Sequence, residues 1–325
     1  MTRVAVVHPT TLLGKETIEK LEARPDLYQE LDLLTVDSDE VGQLAEAAGA
    51  AALVRQAEPS AIAAADIVLV CGATAAYRDL LAHRASEATV VLVDPAADEP
   101  GAVPVVAGIN LDQATPGRLL ASPHPGAVLL AHLLQPLLPL GVREAAATLV
   151  QPASLFDRRG LDELFEQARR LVSLQGQEPG ELFARQLAFN LYPAPRPAAG
   201  LAARTRQALG IDGPALPLAV HLLQGGVFHG LSALLHVHLT EARPAAEVRE
   251  RLAANPLIEL SEPDDSGDDL LGPIDAAARD EVLVGPVQED PDGGVWIWAV
   301  MDNLTRGGAT NAVAILERLV GTAVH

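Results

Sequence analysis

Apolar and polar positions divide the chain into two textures. Up to about residue 110, short runs of Val, Ile and Leu alternate with amphipathic segments. The runs are RVAVV (3–7), LDLLTVD (31–37), DIVLVC (66–71), ATVVLVD (88–94) and AVPVVAGIN (102–110). Helices are predicted near 14–24 and over 74–86, and 40–57 reads as a mixed helix or an irregular segment. Continuous apolar strands separated by helices require a parallel sheet covered on both faces. After residue 145 the strands lengthen and the helices thin out. EAAATLVQPAS, ALPLAVHLLQGG and VFHGLSALLHVHLTEA read as strands, and 159–175 and 245–255 as helices. Residues 282–303 read as a hairpin turning at Pro291-Asp292-Gly293-Gly294. The last apolar-periodic segment, 307–321, is a helix that can return to the first domain. The expected fold is therefore α/β: a Rossmann-like NAD(P)-binding-type domain over 1–125 and 306–325, and an α+β domain with a mixed sheet over 126–305.

The first strand runs into HPTTLLGKETIEKL, the place of a phosphate-binding turn. Such a turn uses glycines for the bend and for close backbone approach, and a helix N-terminus for the anion. Here the slots are His8, Pro9, Thr10, Thr11, Leu12, Leu13 and Gly14, so only the last glycine is present. Pro9 also removes an amide donor. Asp37 ends the second strand, where an acidic side chain can hold a ribose hydroxyl. With Asp39 it disfavours a 2′-phosphate, so NAD is more plausible than NADP if either binds. The expectation is a domain kept for its fold, with no cofactor.

Composition narrows the partners. The formal charge of −20 repels phosphate backbones and anionic membranes, so nucleic acid is excluded as a partner. Cys71 is the only cysteine, which rules out an internal disulfide and fits a reducing cytoplasm. The N-terminus does not read as a secretory signal. The least charged stretch, 126–142, contains His132, Gln135, Pro136 and Pro139 and is shorter than the roughly 20 apolar residues of a spanning helix. It reads as a buried helix, and no membrane partner is expected. The acidic stretch 261–273 lacks calcium-loop spacing. His236 and His238 share a strand face with no acidic or cysteine partner at ligand spacing, and His221 stands in the preceding strand. No metal site is expected. Trp296 and Trp298 alternate in the same way and read as packing residues. Cys71, at a strand end, reads as a small buried hydrophobe.

The tail AVMDNLTRGGATNAVAILERLV (299–320), with Asp302-Asn303, Gly307-Gly308-Ala309 and Asn311-Ala312, resembles the closing strand and helix of the aspartate-semialdehyde dehydrogenase family. LAFNLYP (187–193), GLDEL (160–164) and VAGIN (106–110) are similar to further segments of that family. The resemblance covers nearly the whole chain. It implies reductive dephosphorylation of an acyl phosphate through a thioester, with a thiolate, a histidine base, an orienting glutamine and cations for carboxylate and phosphate. Matched to the family's ANPNCST, ASPHPGA (121–127) puts Pro125 in the cysteine slot, with His124 before it and Ser122 nearby. Matched to the family's GHS, GLS puts Leu231 in the base slot, with His229 two residues earlier. The substrate-arginine slot holds Gln224. The phosphate loop corresponds to the acidic DPAADEPG (94–101), and the acidic-and-lysine segment to 195–209, which has neither residue type. Gln151 keeps the orienting position, and Asn303 stands among the cofactor-side positions of the tail.

Thiolate, base, two cations and glycine turn are thus all replaced, and loss of the nucleophile alone costs many orders of magnitude. No catalytic residue is expected. The resemblance implies a non-catalytic member with a scaffold or interaction role and an unidentified protein partner. It also implies a homodimer through the second domain's sheet, since 217–239 is apolar enough to need covering on both sides. The alternatives are an NAD(P)-dependent oxidoreductase of an aldehyde or acyl substrate in amino-acid biosynthesis with a remodelled site, and a metabolite sensor that keeps only the cleft.

Overall fold

A computed structural model describes residues 2–323 except 48–49, 73–77, 80–81, 86, 95–98, 100, 175, 177–179, 195–199, 212 and 263–268. Most of the helix predicted over 74–86, most of the loop 94–101 and the centre of the acidic stretch lie outside the described residues. The chain divides into two compact units, 1–125 with 307–325, and 126–306.

In the first unit, seven strands among the described residues form one sheet. They are β1 (Arg3–Val7), β2 (Glu30–Thr35), β5 (Arg55–Gln56), β6 (Ile67–Cys71), β7 (Thr89–Val93), β8 (Val103–Pro104) and β9 (Leu119–Ser122). Their order is β5-β2-β1-β6-β7-β9-β8 and every pairing is parallel. The strands β1, β6 and β7 are buried through nearly every residue, as their unbroken Val/Ile/Leu runs require. Helix α1 (Leu12–Glu22) follows β1, and α2 (Pro59–Ala64) precedes β6.

Three elements differ from the sequence expectation. Among the described residues of 40–57 there is no helix: β3 (Leu44–Ala47) and β4 (Ala50–Leu53) pair antiparallel. Val54, 1% exposed, exchanges backbone bonds with Gly42 and Gln43 and anchors this ribbon, overriding the helical preference of its alanines. The strand expected over 102–110 is only two residues long. Asn110 folds the rest back, its Oδ1 accepting from Val106 N (2.8 Å) and its Nδ2 donating to Pro104 O (2.9 Å). The place in the sheet is taken instead by β9, four residues ending in Ser122.

The second unit holds a mixed sheet of seven strands among the described residues. They are β10 (Val142–Gln151), β11 (Leu191–Pro193), β12 (Leu218–Gly225), β13 (Leu231–Leu239), β14 (Ile258–Leu260), β15 (Val282–Glu289) and β16 (Gly294–Met301), in the order β11-β12-β10-β13-β16-β15-β14. Helix α3 (Pro125–Leu134) leads into this unit, and α4 (Asp157–Val172), α5 (Leu201–Ala208) and α6 (Ala245–Ala253) complete it. The run 126–142 is the buried helix α3 followed by a 3-10 turn over Gln135–Leu140. No described helix is long and apolar enough to cross a membrane.

The predicted hairpin joins β15 to β16. Gly293, at φ +88°, donates to Asp290 O (2.9 Å), and Asp290 N donates to Gly294 O (2.8 Å). Alternation then sorts the sheet. Ala147, Leu149, Ala233, Leu235, Val295 and Ile297 are buried on one face, whereas Ala146, Ala219, His221, Leu234 and Trp296 are exposed on the other. A π-turn over Thr305–Ala309 opens into α7 (Thr310–Ala323), which belongs to the first unit. Asn311 fixes that helix to the parallel sheet: Nδ2 donates to Val105 O (2.9 Å) and Ser122 Oγ (2.8 Å), and Oδ1 accepts from Ala107 N (2.7 Å).

Candidate functional site

At the C-terminal edge of the parallel sheet, the β1–α1 turn is closed by its own side chains. His8 turns the chain at φ +63°, a conformation histidine tolerates better than most residues. Thr11 caps α1: its hydroxyl donates to His8 O (2.9 Å) and accepts from Gly14 N (3.0 Å). That amide is one that an anion at the helix N-terminus would use. Gly14 has a packing role, because a Cβ there would stand 2.1 Å from His8 O. Leu13 is buried in the core and Leu12 opens the helix. The Thr10 hydroxyl is buried without a hydrogen-bond partner. Asp37 is exposed just beyond the adjacent β2, its Oδ1 accepting from Asp39 N (2.9 Å). The structure therefore gathers His8, Thr10, Thr11, Leu12, Leu13 and Gly14 at one turn, with Asp37 at the end of the neighbouring strand. Asn303 belongs to the other unit.

Cys71 ends β6 and is 1% exposed. Burial pushes its thiol up to about 12, against which a weak bond to Thr17 Oγ1 (3.5 Å) acts in the opposite direction. A thiol so placed carries no thiolate at neutral pH. Ser122 is fully buried and occupied by Asn311. Asp94, at φ +48°, follows β7 with its N–H on Ser122 O (3.0 Å). Burial raises its carboxyl and the nearby His124 opposes the shift. Pro125 is buried at the first position of α3, where proline's missing N–H costs nothing.

In the second unit the topology brings Gln151, Gln224, Leu231 and Asn303 to one end of the mixed sheet. Gln151 and Gln224 are register partners in β10 and β12, and Leu231 pairs with Met301, two residues before Asn303. Gln224 Nε2 donates to Gln151 O (3.1 Å). Asn303 Oδ1 accepts from Ser154 Oγ (3.2 Å) and Gly230 N (3.2 Å). Leu231 is fully buried. His229 is exposed in the turn before β13, outside the strand that Leu231 opens. Gln224 Oε1 and Asn303 Nδ2 are buried without partners. An unmet buried polar atom costs about 1–3 kcal/mol.

One buried histidine and one polar cluster were not placed from the sequence. His132, fully buried in α3, has no hydrogen-bond partner on either ring nitrogen. Burial, with Arg306 adding repulsion, pushes its imidazole down to about 3. Its signal was a lone histidine within GAVLLAHLLQ. On the exposed sheet face His236 Nε2 lies 3.1 Å from Asp290 Oδ2, which also accepts from Trp296 Nε1 (3.2 Å). The N–H of Asp292, then Trp296 and His236, hold the Asp290 carboxyl below its usual range. His238 meets His236 edge-on at 4.6 Å. Trp298 is instead tucked under Leu271, donating to its carbonyl (2.8 Å). Among the described residues no three His, Cys, Asp or Glu converge at metal-binding distance. Within 195–209, residues 195–199 are outside the described chain and the rest is α5 with its flanking Gly200 and Leu209.

No protein-family profile matches the chain. It is 32% identical over 338 residues to a USG-1 protein homologue of Azotobacter vinelandii, covering 98% of this chain and 97% of that one. It is 27% identical over 336 residues to aspartate-semialdehyde dehydrogenase 2 of Vibrio cholerae, covering 98% and 97%. Among solved structures, a probable aspartate-semialdehyde dehydrogenase from Pseudomonas aeruginosa superposes with a TM-score of 0.84 at 28% identity, covering 97% of each chain.

Proposed function

The chain belongs to the family of aspartate-semialdehyde dehydrogenases and USG-1 protein homologues, and from that premise we propose that it is a non-catalytic member with a scaffold or interaction role. One observation carries the reading. A thioester mechanism needs a thiolate, and the only cysteine of the chain is buried with its thiol pushed up to about 12. Pro125 and Leu231, in the nucleophile and base slots, offer no nucleophile and no proton acceptor. Gln224, in the substrate-cation slot, is neutral, so a dianionic substrate loses its charge-assisted hydrogen bonds.

The first unit serves as a fold-bearing Rossmann-type domain. The second serves for self-association: the exposed Ala146, Ala219, His221, Leu234 and Trp296 form a sheet face of mixed apolar and histidine side chains suited to a second copy in a homodimer. The acidic, single-cysteine chain is assigned to the cytoplasm. No cofactor is assigned, because Thr11 occupies the amide that a pyrophosphate would need. Calorimetric titration with NAD and with NADP tests this. No saturable heat is expected up to about 1 mM of either dinucleotide. Micromolar binding of either one would revive the oxidoreductase alternative.

A further inference from the structure

We infer that a cavity in the first unit is a binding site for a small zwitterion, a free α-amino acid. Arg3 of β1 and Asp32 of β2 lie on the same sheet face as Ala5, Val7 and Leu34, which pack with Ile62 of α2 in one core. Toward the edge strand β5, α2 presents Ser60, Ala61 and Ala64, and these short side chains leave a space of about 360 Å³. That falls within the range of small-molecule sites, roughly 300–1,000 Å³. It is far more than one water needs, roughly 30 Å³. None of the turn residues 8–14 lines it, so it is separate from the place of a dinucleotide.

The wall carries balanced charge: the guanidiniums of Arg3 and Arg55 and the carboxylates of Asp32 and Glu58. Asp32 is already taken. Arg55 Nη2 donates to it and Arg3 Nε stands 3.7 Å away, while Arg3 also pairs with Glu30. The rest of the Arg55 guanidinium is left for a ligand, on a side chain that is 57% exposed. The Glu58 carboxylate and the Ser60 hydroxyl have no side-chain partner among the described residues. Gln56 adds an acceptor, because its Nε2 is committed to Thr35 O (3.3 Å). Charged donors and charged acceptors therefore border one space. A lone anion would face Glu58 and Asp32, and a lone cation would face Arg3 and Arg55. An α-amino acid meets both sets: its carboxylate on Arg55 and Ser60, its ammonium on Glu58 and Gln56, and a small apolar side chain along Ala61 and Ala64.

The inference stands apart from the silent-member reading, because none of the nucleophile, base or cation slots lines the cavity. The test is NMR titration of the full chain with three matched probes: L-valine, 3-methylbutanoate, which lacks the ammonium, and isobutylamine, which lacks the carboxylate. Valine is expected to give saturable shifts in the backbone amides of residues 55–64 and to bind at least about tenfold tighter than either analogue. Glu58→Gln should bring valine down to the level of 3-methylbutanoate, and Arg55→Gln to the level of isobutylamine. Both side chains are at the surface, so the circular dichroism spectrum should not change. Three results would each overturn the inference: no saturable shift with valine, equal binding of the three probes, or variants that bind valine as the parent does.

Discussion

Replacing His132 by leucine is expected to stabilise the protein at neutral pH by about 1–3 kcal/mol, the cost of keeping a buried imidazole without partners. The larger effect lies in acid. The ordinary histidine value of 6.5 applies to the unfolded chain, and burial beside Arg306 lowers the folded value to about 3. A depressed folded value means that stability is fully present above pH 6.5. As pH falls, the unfolded chain takes up a proton that the folded chain refuses until about pH 3. His132 alone therefore removes about 1.4 kcal/mol per pH unit across that window, about 5 kcal/mol in all. His132→Leu lacks this response. Urea denaturation of both proteins should show the gap between them widening by about 3 kcal/mol from pH 7 to pH 4. The carboxylates titrate equally in both, so parallel pH profiles would show that His132 is not the acid-sensitive group.

Gly14→Ala is expected to cost about 3 kcal/mol or more. The new Cβ would lie 2.1 Å from His8 O and 2.9 Å from the backbone of Pro9, and none of these atoms can rotate away. The glycine that survives in the turn is thus retained for contact between helix and turn. A glycine retained for a phosphate would behave otherwise: alanine would weaken dinucleotide binding and leave the denaturation midpoint nearly unchanged. Denaturation of the variant beside the parent separates the two.

What could be read from the residues follows the range of the forces involved. The strands β1, β6 and β7 declared themselves because both faces are buried, which demands unbroken apolar runs. Strand β9 did not, since LLAS is too short to show a period between Gly117 and Pro123. The run 102–110 looked like a strand until the amide of Asn110 closed it into a turn, a side-chain bond that periodicity does not encode. Residues 44–53 were misread because alanine favours helix locally, while the anchor at Val54 acts through packing. At the site, the turn residues 8–14 were legible as neighbours in sequence. Gln151 and Gln224 meet only through strand register, and Ser154 and Asn303 only through the topology that returns β16 beside β13. The assignment of Pro125 and Leu231 to catalytic slots came from family resemblance, which physical chemistry of the isolated segments could not supply.

The most direct measurement is intact-protein mass spectrometry after incubation with aspartate semialdehyde, NADP and phosphate. An enzyme of the thioester type accumulates or traps an acyl group on its thiol, whereas a chain whose single cysteine is closed off does not. The mass is expected to stay at that of the unmodified protein, with no dinucleotide reduced. An added acyl mass mapped to Cys71, together with NADPH formation, would contradict the reading of this chain as a silent member of its family.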